Sequence, residues 1–166
     1  MQFQEREIRY VVAMVWESML QSSLEGRDTP LTDGERQYVS GVTIGGSWEG
    51  ALCLAVTAAV ASRAAAMMFG LPEDQLTARH RSDAVNELAN MVGGNLKPML
   101  GEHCRLGIPR LKIVDGKTET VDDAMEYMVE SRLTFEADGE AAEVTLLKEV
   151  EVLPADWLAE LTSKGT

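Results

Sequence analysis

Apolar residues return at helical intervals near the start of the chain. Ile8, Val11, Val12, Val15, Met19 and Leu20 predict an amphipathic helix over residues 5 to 24. Gly26 follows it, and Asp28-Thr29-Pro30 marks a loop. Val39 to Ile44 and Trp48 to Val56 are strand-like runs, and Gly45-Gly46-Ser47 between them predicts a hairpin. In the second run Trp48, Leu52, Leu54 and Val56 share one face. The small residues Ala51, Cys53 and Ala55 share the other, which is the side expected to accept a closely packed helix. Thr57 stands where it can cap a short Ala-rich helix through Met68, with Gly70 to end it. Leu71-Pro72-Glu73-Asp74 leads into a longer helix over residues 77 to 100, and Leu106 to Val114 predicts one or two short strands around Gly107 and Pro109.

Tyr127, Val129, Ser131, Leu133, Phe135 and Ala137 alternate with mostly polar residues, Asp138-Gly139 reads as a type I′ hairpin turn, and Val144 to Val150 is the return strand. Pro154 to Leu158 can open a terminal helical turn. The order predicts an α+β fold with helices layered on a largely antiparallel sheet, read as a single domain over residues 1–166.

The longer helix has two unlike faces. Val85, Leu88, Ala89, Val92, Leu96 and Met99 fall mostly on one side. At about 100° per residue, Asp83, Glu87, Asn90, Gly94 and Lys97 form a stripe on the other. Asn86, Asn90, Gly93, Gly94 and Asn95 crowd into ten residues of this helix, although Gly is about 1 kcal/mol worse than Ala there and Asn somewhat less so. Such concessions of propensity gather where a surface does chemistry or is approached closely. On spacing alone, a merely solvated helix face explains the stripe as well. An Asn amide does not titrate near neutral pH, but it donates and accepts at once, which suits holding a water for attack. Water positioning of this kind is an established device in phosphoryl transfer.

Asp83, Glu87 and Asn90, followed by Pro109 and embedded in Glu-Leu-Ala-Asn-Met-Val-Gly-Gly-Asn-Leu-Lys, resemble the signature of the CheC/CheX/FliY chemotaxis phosphatases. Pro109 lies slightly closer to the Asn than that pattern expects, with Pro98 intervening. One copy of the motif is present: Glu17 on the first helix is followed by Ser18-Met19-Leu20, with no Asn. A single copy resembles the CheX arrangement. The resemblance implies a phosphatase of the aspartyl phosphate on a CheY-type response regulator, with Asn90 orienting water and Glu87 pairing with a Lys of the regulator. It implies a docking or structural role for Asp83, a homodimer with one site per subunit, and Mg²⁺ in the regulator, with no cofactor of the chain's own. Gly94 would keep the helix surface low for an approaching backbone. Lys97 is open to pairing either with its own chain or with a partner. The rival reading is a non-catalytic adaptor that binds a regulator or flagellar switch component.

Composition narrows the partners. A formal charge of −12 over 166 residues argues against nucleic acid and anionic membrane. No apolar run reaches the ~18 residues a bilayer span requires, and Met1 to Glu7 lack a signal-peptide pattern, so the expectation is cytoplasmic. Cys53 reads as a buried free thiol. His80 and His103-Cys104 fall short of a metal-site spacing, and Gly41 to Gly46 lacks the Lys of a phosphate loop. Met67-Met68 reads as core at a helix end, and Trp157-Leu158 as a tail packed on the domain or a dimer contact.

Overall fold

The hairpin of β2 (Arg36–Gly45) and β3 (Gly50–Thr57) forms the middle of an antiparallel sheet in the computed structural model, which describes residues 5–27, 31, 36–115 and 127–149. The remaining elements are α1 (Glu5–Leu20), β1 (Glu25–Arg27), α2 (Ala58–Phe69), a 3₁₀ turn (Glu73–Gln75) and α3 (Ala78–Leu100). These are followed by β4 (Arg105–Leu106), β5 (Arg110–Asp115), β6 (Tyr127–Ala137) and β7 (Glu140–Glu149). The sheet runs β1-β6-β7-β3-β2-β4, with β5 also paired to β2. Asp28-Thr29-Pro30, Val150 and the segment from Pro154 to Leu158 lie outside the described residues.

Helices pack on one face of this sheet. α3 lies against β2 and β3 and reaches β4 and β5, while α1 reaches β6 at the opposite side. The core between the layers is built from Leu52, Leu54 and Val56 of β3, Val144 and Leu146 of β7, and Leu133 and Phe135 of β6, against Val12, Val15 and Trp16 of α1 and Leu88, Val92 and Leu96 of α3.

Several expectations shift. α1 stops at Leu20, short of residue 24, because Gln21 turns to a left-handed backbone (φ 50°). Gly26, which follows the predicted helix, sits in β1, which pairs with β6 and sets Gly26 opposite Phe135. On β3 the large residues, not the small ones, meet the helices; Ala51, Cys53 and Ala55 point to the other face and are buried there as well. With both faces buried, alternation cannot tell which one holds helices. In β6 a bulge between Val129 and Ser131 breaks the even alternation. Leu133, Phe135 and Ala137 stay on the helix side, whereas Val129 pairs with Leu147 opposite Ala51 and is 49% exposed. Met67 is 44% exposed; only Met68 of that pair packs on the core.

Local signals hold where they rest on caps and turns. Thr57 Oγ1 accepts from the Val60 amide, and Gly70 closes α2 in the left-handed region (φ 63°). Asp138 (φ 51°) and Gly139 (φ 79°) both take positive φ, as a type I′ turn demands.

Candidate functional site

α3 begins with a reciprocal cap. The Thr77 side chain accepts from the His80 amide, and His80 Nδ1 accepts from the Thr77 amide at 3.0 Å. The His80 ring also rests against Phe69, 4.8 Å between centroids, so this histidine is engaged in starting the helix. His103 is exposed and Cys104 is buried. Among the described residues no three His, Cys, Asp or Glu side chains gather as a metal site.

The helix is held by its apolar side. Ala84, Val85, Leu88, Ala89, Val92, Leu96 and Leu100 are all buried. Burying one such aliphatic side chain of Val or Leu size is worth about 1.5–3 kcal/mol. The ion pair of Arg79 with Asp83, 4.0 Å apart on exposed groups, is worth only about 0.3–0.5 kcal/mol. Packing therefore sets the rotation of α3, and the polar stripe is carried outward as a consequence.

The structure brings the whole predicted stripe together on that outer surface. Asp83, Glu87, Gly94 and Lys97 are exposed, and Asn90 is half-buried. Asp83 has Arg79 as a neighbour. Glu87, Asn90 and Lys97 make no side-chain hydrogen bond or ion pair among the described residues. Asn90 thus presents an amide that can still donate and accept, one turn from an unengaged carboxylate.

The two adjacent glycines do different things. A Cβ on Gly93 would stand 3.4 Å from a methyl of Leu106, so this residue faces the sheet where β4 meets the helix. A Cβ on Gly94 would meet nothing within 4 Å. Its own fold does not require glycine at 94. Pro98, inside the last turn, has no N–H and leaves the Gly94 carbonyl without its usual donor.

One contributor was not legible as part of the site. Ser40, fully buried on β2, donates from Oγ to Asn86 Oδ1 at 2.7 Å. Asn86 stands out in the sequence as a poor helix former. Nothing in the sequence singles out Ser40 as its partner, since Tyr38 and Thr43 of the same strand carry hydroxyls too.

The stripe is an open ledge on the β2 side of the sheet, with β4 and β5 beneath the same helix. No helix among the described residues is long and apolar enough to cross a membrane.

Solved structures share this fold. The chemotaxis protein CheX from Vibrio vulnificus is 21% identical over 86% of this chain and 93% of its own, with a TM-score of 0.64. CheX from Desulfovibrio desulfuricans is 19% identical over 86% and 97%, with a TM-score of 0.62. The CheX–CheY–BeF3–Mg²⁺ complex from Borrelia burgdorferi matches at 17% identity over 89% and 98%, with a TM-score of 0.64. No curated protein matches the chain. The family model described as chemotaxis phosphatase CheX matches residues 38–131, a span that contains the hairpin from Tyr38 on, α3 and the entire stripe. With the fold, the ledge and that match in agreement, the chain belongs to the chemotaxis phosphatase CheX family.

Proposed function

We propose that this protein hydrolyses the aspartyl phosphate of a phosphorylated CheY-type response regulator. The whole chain, residues 1–166, acts as one domain with one site, and two copies form a homodimer in the cytoplasm. The observation that carries the reading is the unengaged amide of Asn90 beside the unengaged carboxylate of Glu87 on an open ledge. A solved relative with the same fold is a complex of CheX with CheY, BeF3 and Mg²⁺, which supports a regulator as the partner and Mg²⁺ as a component of such a complex.

In this reading α3 docks along the regulator, and Glu87 pairs with a cationic side chain there to set the register. Asp83 and Lys97 flank the contact, and the bare backbone at Gly94 admits the partner closely. The Asn90 amide accepts from and donates to a water held in line with the phosphorus. Water oxygen bonds to phosphorus as the bond from phosphorus to the aspartyl oxygen breaks, giving inorganic phosphate and a free carboxylate. Mg²⁺ in the regulator would offset charge on the phosphoryl oxygens. An Asn cannot take the proton, so orientation is its whole contribution.

Single-turnover dephosphorylation of a phospho-regulator, across a range of protein concentrations, tests both roles. Asn90→Ala should lower the saturating rate by about 10²–10³ with little change in half-saturation. Glu87→Ala should raise the half-saturating concentration, since it removes an intermolecular ion pair. Wild-type turnover by Asn90→Ala at saturation would sink the water-positioning mechanism and favour the adaptor reading.

A further inference from the structure

A cleft of about 550 Å³ lies toward the β1–β6 edge of the sheet, where α1 meets β1, β6 and Met99 at the end of α3. Its walls include Tyr10, Leu24, Met99 and Phe135, with Arg6 and Arg9 from α1. The volume falls in the range of small-molecule sites, about 300–1,000 Å³.

The arginines make the cleft chemically specific. Residues three apart share a helix face, so Arg6 and Arg9 present their guanidinium groups to the same space. Neither makes an ion pair or side-chain hydrogen bond among the described residues. Arg9 instead lies over the buried Phe135 ring, its Cζ 5.6 Å from the centroid. That contact leaves the guanidinium donors available for a bidentate acceptor. Arg6 stands in the first helical turn, where the helix dipole disfavours a cation. An anion in the cleft would relieve that cost. Among the described residues Glu7 is the one acidic side chain lining it, against two arginines.

We propose that this cleft binds an amphipathic carboxylate, a small molecule whose apolar body lies against Tyr10, Leu24 and Met99 while its carboxylate meets Arg6 and Arg9. None of Asp83, Glu87, Asn90, Gly94 and Lys97 lines it. The chain's charge of −12 repels simple anions at long range, so a carboxylate without an apolar body gains too little here. Each buried methylene should tighten binding roughly fourfold.

Calorimetric titration of the full-length protein with acetate, hexanoate, octanoate, decanoate and decanol tests the assignment. Expected are no binding of acetate, tightening of roughly fourfold per methylene along the longer acids, and decanol weaker than decanoate by about tenfold. Arg9→Gln should weaken decanoate by about tenfold, while Arg105→Gln, an exposed arginine on β4, should leave it unchanged. Absence of decanoate binding, equal affinity for decanol and decanoate, or undiminished binding by an Arg6→Gln, Arg9→Gln double variant would each overturn the proposal. The comparison of acid with alcohol uses the unmutated protein, so it decides the matter even if a variant folds poorly.

Discussion

Ser40 Oγ and Asn86 Oδ1 lie 2.7 Å apart, a single side-chain hydrogen bond from the buried middle of β2 to the residue that precedes Glu87 on α3. Apolar burial alone lets a helix slide or rotate slightly over a sheet, since it has no direction. One directed bond at Asn86 adds a fixed point within a turn of both Glu87 and Asn90.

Ser40→Ala should lower stability by about 1 kcal/mol, the typical net value of one such bond. For a chain of this size that corresponds to roughly 2–4 °C in Tm. Thermal unfolding checks it, and an unchanged Tm would mean that Asn86 finds an equivalent partner in water.

Gly94→Ala separates fold from docking. Nothing within 4 Å meets the added methyl, and Ala is about 1 kcal/mol the better helix former. Tm should therefore rise by roughly 2–4 °C. If α3 docks on a regulator as proposed, the half-saturating concentration in dephosphorylation should rise as well. A gain in stability with unaltered dephosphorylation would remove Gly94 from the contact.

Asp138 supplies an acid-side prediction. Its carboxylate accepts from Arg63 and, at 2.8 Å, from Ser22, and Arg63 also donates to the Leu20 carbonyl at 3.1 Å. The Arg63 hydrogen bond, then Ser22, then the Arg63 charge hold the Asp138 carboxyl below its ordinary value. A depressed folded pKa contributes stability that is present above the unfolded value, about 3.9, and is lost as pH falls through the folded one. Asp138→Asn tolerates the same positive φ. The stability difference between wild type and Asp138→Asn should be constant near neutral pH and shrink below about pH 4. Urea unfolding at a series of pH values measures it, and a difference independent of pH would refute the clamp.

Burial pushes the Cys53 thiol up to about 11, so little thiolate exists at neutral pH. Neither Cys53 nor Cys104, both buried, should react with a disulfide reagent in the native protein at pH 8, and both should react once it is unfolded. Rapid native labelling of one thiol would show that its cover opens readily.

What the sequence determined by itself is what rests on neighbours in the chain. The two faces of α3 follow from helical period, so the outward stripe was readable before any fold existed. The Thr57 cap, the Gly70 stop and the Asp138-Gly139 turn follow from the backbone geometry those residues favour. The family resemblance rode on the same local string. Tertiary structure decided the rest. β1 is three residues that become a strand by pairing with β6, and no period can be read from so few. Which face of β3 holds the helices could not be read from its alternation because both faces are buried. The bond from Ser40 to Asn86, the clamp from Arg63 to Asp138, and the cleft around Arg9 and Phe135 join residues 46, 75 and 126 positions apart in sequence (135 − 9 = 126 for the last). Such contacts leave no local pattern, because each half is stable only when the other has already been brought to it.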